Sequence, residues 1–216
     1  MERLICVVIG YLFGLVQTGY IYAKLMKHED IRKHGSGNAG TTNVLRTFGW
    51  KAGVITFLGD CLKCVAAVLV VKLIFGQSHA FIELLEIYAA FGVVLGHNFP
   101  FYLNFKGGKG IAATAGFMLA VNPMMFLSVA VVFIVLVAIT RYVSSSSLII
   151  ITMFVVEVIY FGQTGGFNLA GTQLYEFYAI TIALAVMAFW RHRANIKRLL
   201  NGTENRLDFK KISKKS

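Results

Sequence analysis

The stretch "IAATAGFMLAVNPMMFLSVAVVFIVLVAIT", residues 111–140, decides how this chain folds. It is apolar almost throughout, and Asn122 followed by Pro123 is the dipeptide in it that favours a turn. Because a membrane span needs about 20 apolar residues, the stretch can cross a bilayer once, or it can turn at Pro123 and cross twice. The choice fixes the side of the membrane on which every later segment lies.

The composition is that of a membrane protein. The 216 residues are 57% hydrophobic and 14% charged, with a mean hydropathy of +0.69, whereas about 25% of the residues in a soluble domain are charged. Further apolar runs flank the quoted stretch, at about 3–25, 53–76, 80–101, 143–162 and 173–190.

The chain shows no internal repeat and no second, soluble domain. The run at 3–25 is followed by no small-residue cleavage site, so we interpret it as a first span and not as a cleaved signal peptide. We expect an all-α polytopic membrane protein: one integral membrane helical domain at 1–200, followed by a basic cytoplasmic tail at 201–216.

Positive charge favours the double crossing. Residues 24–51 carry six Lys or Arg and residues 191–216 carry nine, whereas the segments 77–83 and 162–176 carry none. The positive-inside rule places both basic segments in the cytoplasm. That requires seven spans, with the N-terminus outside and the C-terminus inside. The arm at 110–121 is only about 18 Å long as a helix, so a re-entrant half-helix is the alternative.

This topology brings three polar segments to the cytoplasmic face. In the first, "GSGNAGTTNVLR" at 35–46, glycines and hydroxyl and amide side chains precede Arg46. Glycines let backbone N–H groups form an anion-binding nest, and an arginine can bind a phosphate with two hydrogen bonds. The alternative is a surface helix capped by Thr41 or Thr42.

The second segment is "GHNFPFYLNFKGGKG" at 96–110, and it precedes a helix predicted to begin at Gly110. Helix N-termini bind anions, Lys106 and Lys109 add positive charge, and glycines at 107 and 108 leave room for a phosphate. The alternative is a turn at the membrane edge whose lysines reach the lipid headgroups. We expect His97 to be a hydrogen-bonded structural residue more readily than a catalyst.

The third segment is "RHRANIKRLLNGTENRL" at 191–207. Helical spacing places His192, Asn195 and Arg198 on one face, and Glu204 can fold back after Gly202. Two neighbouring arginines should lower the pKa of His192. The alternative is a basic helix resting on anionic lipid. In the nearby "RYVSSSSL", Ser144 either donates to a ligand or caps the following helix, and we favour the cap.

A few polar residues lie inside predicted spans. Asp60 and Lys63 are three residues apart, and we expect an ion pair that pins the bundle; an ion path is the alternative. Glu157 suggests a hydrogen bond between helices. Cys61 and Cys64 have metal or redox spacing but no second ligand pair, so we expect neither a metal site nor a disulfide.

Taken together, "SGNAGTTNVLR", "GHNFPFYLNFKGGKG" and "HRANIKRLLNGTE" resemble, in order and spacing, the three signature motifs of the bacterial acyl-phosphate:glycerol-3-phosphate acyltransferase family. The resemblance covers nearly the whole chain. It implies an all-helical fold of seven spans whose motifs face the cytoplasm of the bacterial plasma membrane. It also implies acyl transfer from acyl phosphate to the 1-hydroxyl of sn-glycerol 3-phosphate, giving lysophosphatidic acid and phosphate.

The resemblance implies roles for individual residues. Acyl phosphate, sn-glycerol 3-phosphate and membrane lipids are the expected partners; no nucleic acid and no cofactor are expected. The catalytic candidates are Ser36, Arg46, Lys109 and His192. The substrate- and phosphate-binding candidates are Asn38, Thr42, Asn43, His97, Lys106, Gly107, Gly108, Gly110, Ser144, Asn195, Arg198 and Glu204.

The division of labour is a hypothesis. We expect Lys109 and the loop N–H groups to bind the acyl-phosphate headgroup, while Ser36, Arg46 and the third segment bind glycerol 3-phosphate. The base is His192, His97 or an oxygen of the substrate phosphate. Thr41 stands where the family more often has alanine, which adds only a possible hydroxyl donor.

Two other functions fit a basic membrane protein. An organic-phosphate transporter would place its site near the midplane, often between repeated halves, but here the basic residues cluster at one predicted face. A lipid-binding scaffold would explain the basic tail but not the glycines at 107–110.

Overall fold

The computed structural model describes residues 1–77 and 80–215. Within these ranges the chain is helical, with no strand. The helices are α1 (Glu2–Gly14), α2 (Thr18–Lys27), α3 (Thr41–Phe48), α4 (Trp50–Phe75), α5 (Ile82–Asn98), α6 (Ile111–Val121), α7 (Pro123–Thr140), α8 (Val143–Gln163), α9 (Gly171–Arg191), α10 (Arg193–Leu200) and α11 (Phe209–Ser213).

The all-helical membrane fold predicted from the sequence is confirmed. In the described part of the chain, six helical segments are long and apolar enough to cross a membrane: Glu2–Lys27, Trp50–Phe75, Ile82–Leu103, Pro123–Thr140, Val143–Gln163 and Gly171–Arg191. The apolar helix Ile111–Val121 is shorter, so the count of seven spans stays a prediction. The predicted external segment 77–83 includes residues 78 and 79, which lie outside the described residues.

The first span is interrupted, which the sequence did not predict. Helix α1 ends at Gly14 and α2 begins at Thr18. Between them, the buried Gln17 donates its side-chain N–H to the carbonyls of Gly14, Gly96 and His97, at 3.1, 3.3 and 3.1 Å. Backbone carbonyls away from water need a hydrogen-bond donor. The Gln17 amide supplies it where the helical hydrogen bonds are interrupted.

Small residues let α1 and α5 pack backbone to backbone. Gly10 and Gly14 face Gly92 and Gly96, and a Cβ added to Gly14 would lie 2.3 Å from the carbonyl oxygen of Val93. This spacing of small residues is typical of closely packed membrane helices. The contact carries the end of α5, including His97, up to the break in the first span.

The predicted ion pair between Asp60 and Lys63 is present. Lys63 Nζ lies 2.9 Å from Asp60 Oδ1, and both side chains are almost fully buried. Lys63 also donates to the carbonyl of Val16, at the break in the first span, over 2.6 Å. Glu157 makes the suggested interhelical bond, because Ser128 Oγ on α7 donates to it at 2.6 Å.

The stretch 111–140 is divided where the sequence predicted. Helix α6 ends at Val121, and Asn122 caps α7 by accepting hydrogen bonds from the backbone N–H groups of Met124 and Met125. Proline at the first position of α7 fits the same start. Because α6 has 11 residues, it is about 16 Å long.

The chain after residue 200 packs against the bundle. Leu207 and Ile212 are buried and form a cluster with Leu45 of α3. Phe209 of α11 stacks on Trp50, with ring centroids 6.0 Å apart. The residues predicted as a basic tail therefore pack against α3, and Glu204 within this segment is buried.

The orientation can be tested with single cysteines in a background lacking the three natural, buried ones. We predict that Ala170→Cys reacts with an impermeant maleimide added to intact spheroplasts, because the uncharged 162–176 segment should face outward. Lys214→Cys should react only after permeabilisation. Labelling of Lys214→Cys in intact spheroplasts, with Ala170→Cys protected until permeabilisation, would contradict the double crossing of 111–140.

Candidate active site

A cavity of about 560 Å³ lies where the three polar segments meet. It is bounded by the start of α3, the start of α6, α7, α8 and the segment around α10. Predicted site residues that line it are Ser36, Asn38, Thr42, Asn43, Arg46, His97, Lys109, Gly110, Ser144, His192, Asn195 and Glu204. The structure thus brings together residues far apart in the sequence. Four other candidates, Lys106, Gly107, Gly108 and Arg198, do not line it.

Asn43 organises the first segment from within. Its side-chain amide donates to the carbonyls of Ile31, His34 and Asn38, and its Oδ1 accepts from the N–H of Ser36 at 2.9 Å. The N–H of Gly40 is likewise bonded to Asn38. Because these N–H groups are already used, the expected backbone anion nest is not available at these two positions.

Helix α3 does not begin as the alternative interpretation of this segment expected. Neither Thr41 nor Thr42 caps it, since the N-cap is Gly40 and no side chain accepts a cap hydrogen bond. Both threonines instead line the cavity. The hydroxyl of Thr41 and Nε of Arg46 are buried and have no protein partner within the described part of the chain. Buried polar groups are nearly always hydrogen-bonded, so these two atoms indicate that a polar ligand completes the site.

In the second segment, the glycines serve close packing. The N–H groups of Gly107 and Gly108 donate to the carbonyls of Asn98 and His97. They are therefore not free for a phosphate, and our expectation that they bind one is wrong. A Cβ on Gly108 would lie 1.9 Å from His97 Nε2. The residues that face the cavity here are Lys109, Gly110 and the first turn of α6, where free N–H groups and the helix dipole favour an anion.

Arg191 holds this loop, and we did not identify it as a site residue from the sequence. Its guanidinium donates to the carbonyls of Gly107 and Gly108 at 2.7 to 3.0 Å and lies over the ring of Phe99. By binding these carbonyls, the guanidinium neutralises their negative ends and holds the loop in place. The sequence signal that could have identified Arg191 is its position directly before His192 in the third segment. Lys106 is exposed on the outside of the loop.

A chain of polar contacts joins Lys109 to the third segment. Lys109 Nζ donates to Asn195, whose Nδ2 donates to Glu204 Oε1 at 2.8 Å. Ser144 also donates to Glu204, at 3.1 Å, and Arg198 pairs with its other oxygen at 2.7 Å. The expectation that Ser144 caps α8 is therefore wrong: α8 begins at Val143 without a side-chain cap, because this hydroxyl is directed to the carboxylate.

Burial changes the protonation of two site residues. Burial, together with the positive charges of Arg198, Arg191 and Arg46 and against the opposing effect of Glu204, lowers the pKa of Lys109 to about 8. Burial, with the charge of Lys109, lowers the pKa of His192 to about 4. His192 is therefore neutral at pH 7. Its Nδ1 lies 2.8 Å from the Ala188 carbonyl, so Nδ1 carries the proton and Nε2 has a free lone pair.

The other half of the cavity is apolar and reaches the side of the bundle. Aromatic and aliphatic residues of α4 and α7 line it: Trp50, Val54, Phe57, Phe126, Val129, Phe133 and Ile134. Trp50, Val54 and Ile134 are also exposed on the outer surface. A hydrocarbon chain can therefore pass from the polar half into the lipid between α4 and α7.

Comparisons with known proteins give a consistent result. The profile of the glycerol-3-phosphate acyltransferase family matches residues 4–202. A glycerol-3-phosphate acyltransferase of Clostridioides difficile (strain 630) is 45% identical over 208 residues, which are 96% of this chain and 97% of that protein. One from Halalkalibacterium halodurans is 42% identical and covers 94% of this chain and 95% of its own.

Solved structures agree. Crystal structures of PlsY (YgiH), an integral membrane glycerol 3-phosphate acyltransferase, match in the glycerol 3-phosphate form (TM-score 0.80, 32% identity, 96% of each chain). The lysophosphatidic acid form matches with a TM-score of 0.79 and 31% identity over 98% of each chain. This chain belongs to the glycerol-3-phosphate acyltransferase family.

Proposed function

We propose that this protein is a glycerol-3-phosphate acyltransferase that uses acyl phosphate as donor and releases lysophosphatidic acid and inorganic phosphate. The observation that carries the proposal is the two-sided cavity. Lys109, Arg46 and two helix N-termini meet at its polar half, and an apolar half opens to the lipid. A phosphorylated molecule with a long acyl chain fits both halves at once.

Two phosphate groups need two cationic positions. Lys109, Gly110 and the start of α6 form one, which we assign to the acyl phosphate because the apolar half adjoins α6. Arg46, Thr41 and the start of α3 form the other, which we assign to glycerol 3-phosphate. The unpartnered Thr41 hydroxyl and Arg46 Nε support this assignment. Ser36 lies at the rim of the same side.

The chemistry needs no covalent acyl-enzyme, because phosphate is already a good leaving group. The 1-hydroxyl oxygen attacks the acyl carbon, the bond from that carbon to the phosphate oxygen breaks, and the hydroxyl proton leaves with His192 Nε2 or a phosphate oxygen. Holding the reactants together contributes about 7–11 kcal/mol to lowering the barrier. Lys109 and the α6 N-terminus stabilise the negative charge on the departing phosphate.

His192 can serve as base although its pKa is low. Bound phosphates place negative charge beside the imidazole, which raises its pKa in the complex. Ser144, Asn195 and Arg198 hold the carboxylate of Glu204 at the cavity wall. We place the enzyme in the bacterial plasma membrane, with this end of the bundle in the cytoplasm, since the basic segments 24–51 and 191–216 belong to this end.

The donor is tested by supplying purified protein in lipid with glycerol 3-phosphate and palmitoyl phosphate, palmitoyl-coenzyme A or the acyl carrier protein thioester. We expect phosphate release and lysophosphatidic acid only with palmitoyl phosphate. Turnover with a thioester alone would refute the donor but keep the acceptor. No acylation in a folded sample that transports glycerol 3-phosphate into liposomes would support the transporter.

Gly108→Ala tests the loop. The new methyl group would collide with His97 Nε2, so the loop and Lys109 must shift. A displacement of about 1 Å can cost about 100-fold in rate, which is the loss we expect in kcat/KM. Gly165→Ala is the control: it lies in open space at the other end of the molecule, and only its φ of +78° is unfavourable. Equal activity of both folded variants would contradict the role of the loop.

The pKa of Lys109 predicts a pH limit. The protonated amine binds phosphate, and burial lowers its pKa to about 8; kcat/KM, which reports the free enzyme, should therefore fall as the pH rises through about 8. In Lys109→Arg the guanidinium stays charged, so the decline should move above pH 9. A decline at the same pH in both enzymes would assign it to another group.

A further inference from the structure

A buried polar cluster borders the cavity, and the proposed reaction does not use it. It consists of Asp60 and Lys63 on α4 and His97 at the end of α5, with at most 6% of each residue exposed. Asp60 and His97 also line the cavity. Polar groups this deep in a membrane protein usually have a function.

Lys63 determines how His97 is protonated. Its ammonium lies within hydrogen-bonding distance of the Val16 carbonyl at 2.6 Å, Asp60 Oδ1 at 2.9 Å and His97 Nδ1 at 2.9 Å. An ammonium has three N–H groups and no lone pair, so it can only donate. Nδ1 of His97 must therefore accept, and the ring proton must sit on Nε2.

Nε2 of His97 faces the glycine-rich loop. A Cβ on Gly108 would lie 1.9 Å from it, so the absence of a side chain at Gly108 keeps this nitrogen accessible. Among residues 1–77 and 80–215, the structure shows no protein acceptor for its N–H. His97 lines the cavity together with Lys109 and Gly110, so an oxygen of a bound phosphate can supply the acceptor for this N–H.

Without Lys63 the proton would be drawn to the wrong nitrogen. Asp60 Oδ1 lies 3.7 Å from His97 Nδ1 and accepts from Thr18 Oγ1 at 3.2 Å. A carboxylate beside Nδ1 favours a proton there, as in other carboxylate–histidine pairs. Nε2 would then present a lone pair, which repels a phosphate oxygen. Lys63 prevents this by occupying Nδ1.

We propose that Lys63, anchored by Asp60, is a positioning residue that fixes His97 as the Nε2–H tautomer, and that this N–H donates to an oxygen of a substrate phosphate. The proposal rests on the proposed function, because it assumes a phosphorylated substrate in the cavity. It also assigns a role to His97: this histidine binds phosphate and does not accept the proton of the glycerol hydroxyl.

The tautomer can be measured without turnover. Protein labelled with ¹⁵N-histidine is examined by long-range ¹H–¹⁵N correlation, and His97→Gln identifies the His97 signals. We expect a protonated, pyrrole-type Nε2 and an unprotonated, pyridine-type Nδ1. Addition of inorganic phosphate should shift the Nε2 signal. The opposite tautomer, an imidazolium, or no response to phosphate would overturn the proposal even if the enzyme is active.

A kinetic comparison separates positioning from simple structural support. Lys63→Met leaves the Asp60 carboxylate beside Nδ1 and is introduced into the natural enzyme and into His97→Gln. The combined Asp60→Asn, Lys63→Met variant, which leaves no unpaired buried charge, is the control and should raise KM less. In the natural enzyme we expect Lys63→Met to raise KM about tenfold, which corresponds to the loss of a hydrogen bond to a charged group. The rise should affect the substrate whose phosphate His97 binds, either acyl phosphate or glycerol 3-phosphate.

The glutamine background supplies the contrast. Its side-chain amide can donate without any tautomer to set, so Lys63→Met should raise KM less than about threefold there, less than the gain from one such hydrogen bond. Equal losses in both backgrounds would show that Lys63 only supports the bundle. If the natural enzyme does not acylate glycerol 3-phosphate at all, the ¹⁵N response to inorganic phosphate still decides the proposal.

Discussion

The site depends on one buried ammonium that joins three helical segments. Lys63 of α4 binds the carbonyl of Val16 at the break in the first span, the carboxylate of Asp60 and the ring of His97 on α5. His97 in turn packs against Gly108, and the backbone N–H of Gly108 donates to the carbonyl of His97. The loop so placed directs Lys109 and the start of α6 into the cavity. A charge in the bundle interior thus sets the geometry of the phosphate-binding end.

The proposed reaction requires a site that holds negative phosphates beside hydrocarbon, and the structure separates these two demands. Cations gather at one end, where Glu204 is the carboxylate that partners Arg198, Asn195 and Ser144. Burial brings the pKa of Lys109 down to about 8, so the amine is still mostly protonated at pH 7. Its hydrogen-bond partner, Asn195, carries no charge. The apolar residues of α4 and α7 lie on the other side, where an acyl chain replaces lipid at little cost.

Much of this could be predicted from the sequence, since hydropathy and charge act over long stretches. The helical fold, the division of 111–140 at Asn122, the pair of Asp60 and Lys63 and the meeting of three motifs all followed from patterns. Details that depend on three-dimensional packing did not. The break in the first span reflects the side chain of Gln17 finding carbonyls on another helix. The capping role expected for Ser144 failed because Glu204, 60 residues later, competes for its hydroxyl.

The central claim is that one cavity binds both phosphates, with the acyl chain leaving between α4 and α7. The most direct test is a crystal structure with glycerol 3-phosphate and a non-transferable phosphonate analogue of palmitoyl phosphate. The account predicts the phosphonate at Lys109 and the start of α6, the glycerol phosphate at Arg46 and Thr41, and the alkyl chain against Val54 and Phe133. A phosphonate bound outside this cavity, or an alkyl chain on another face of the bundle, would contradict it.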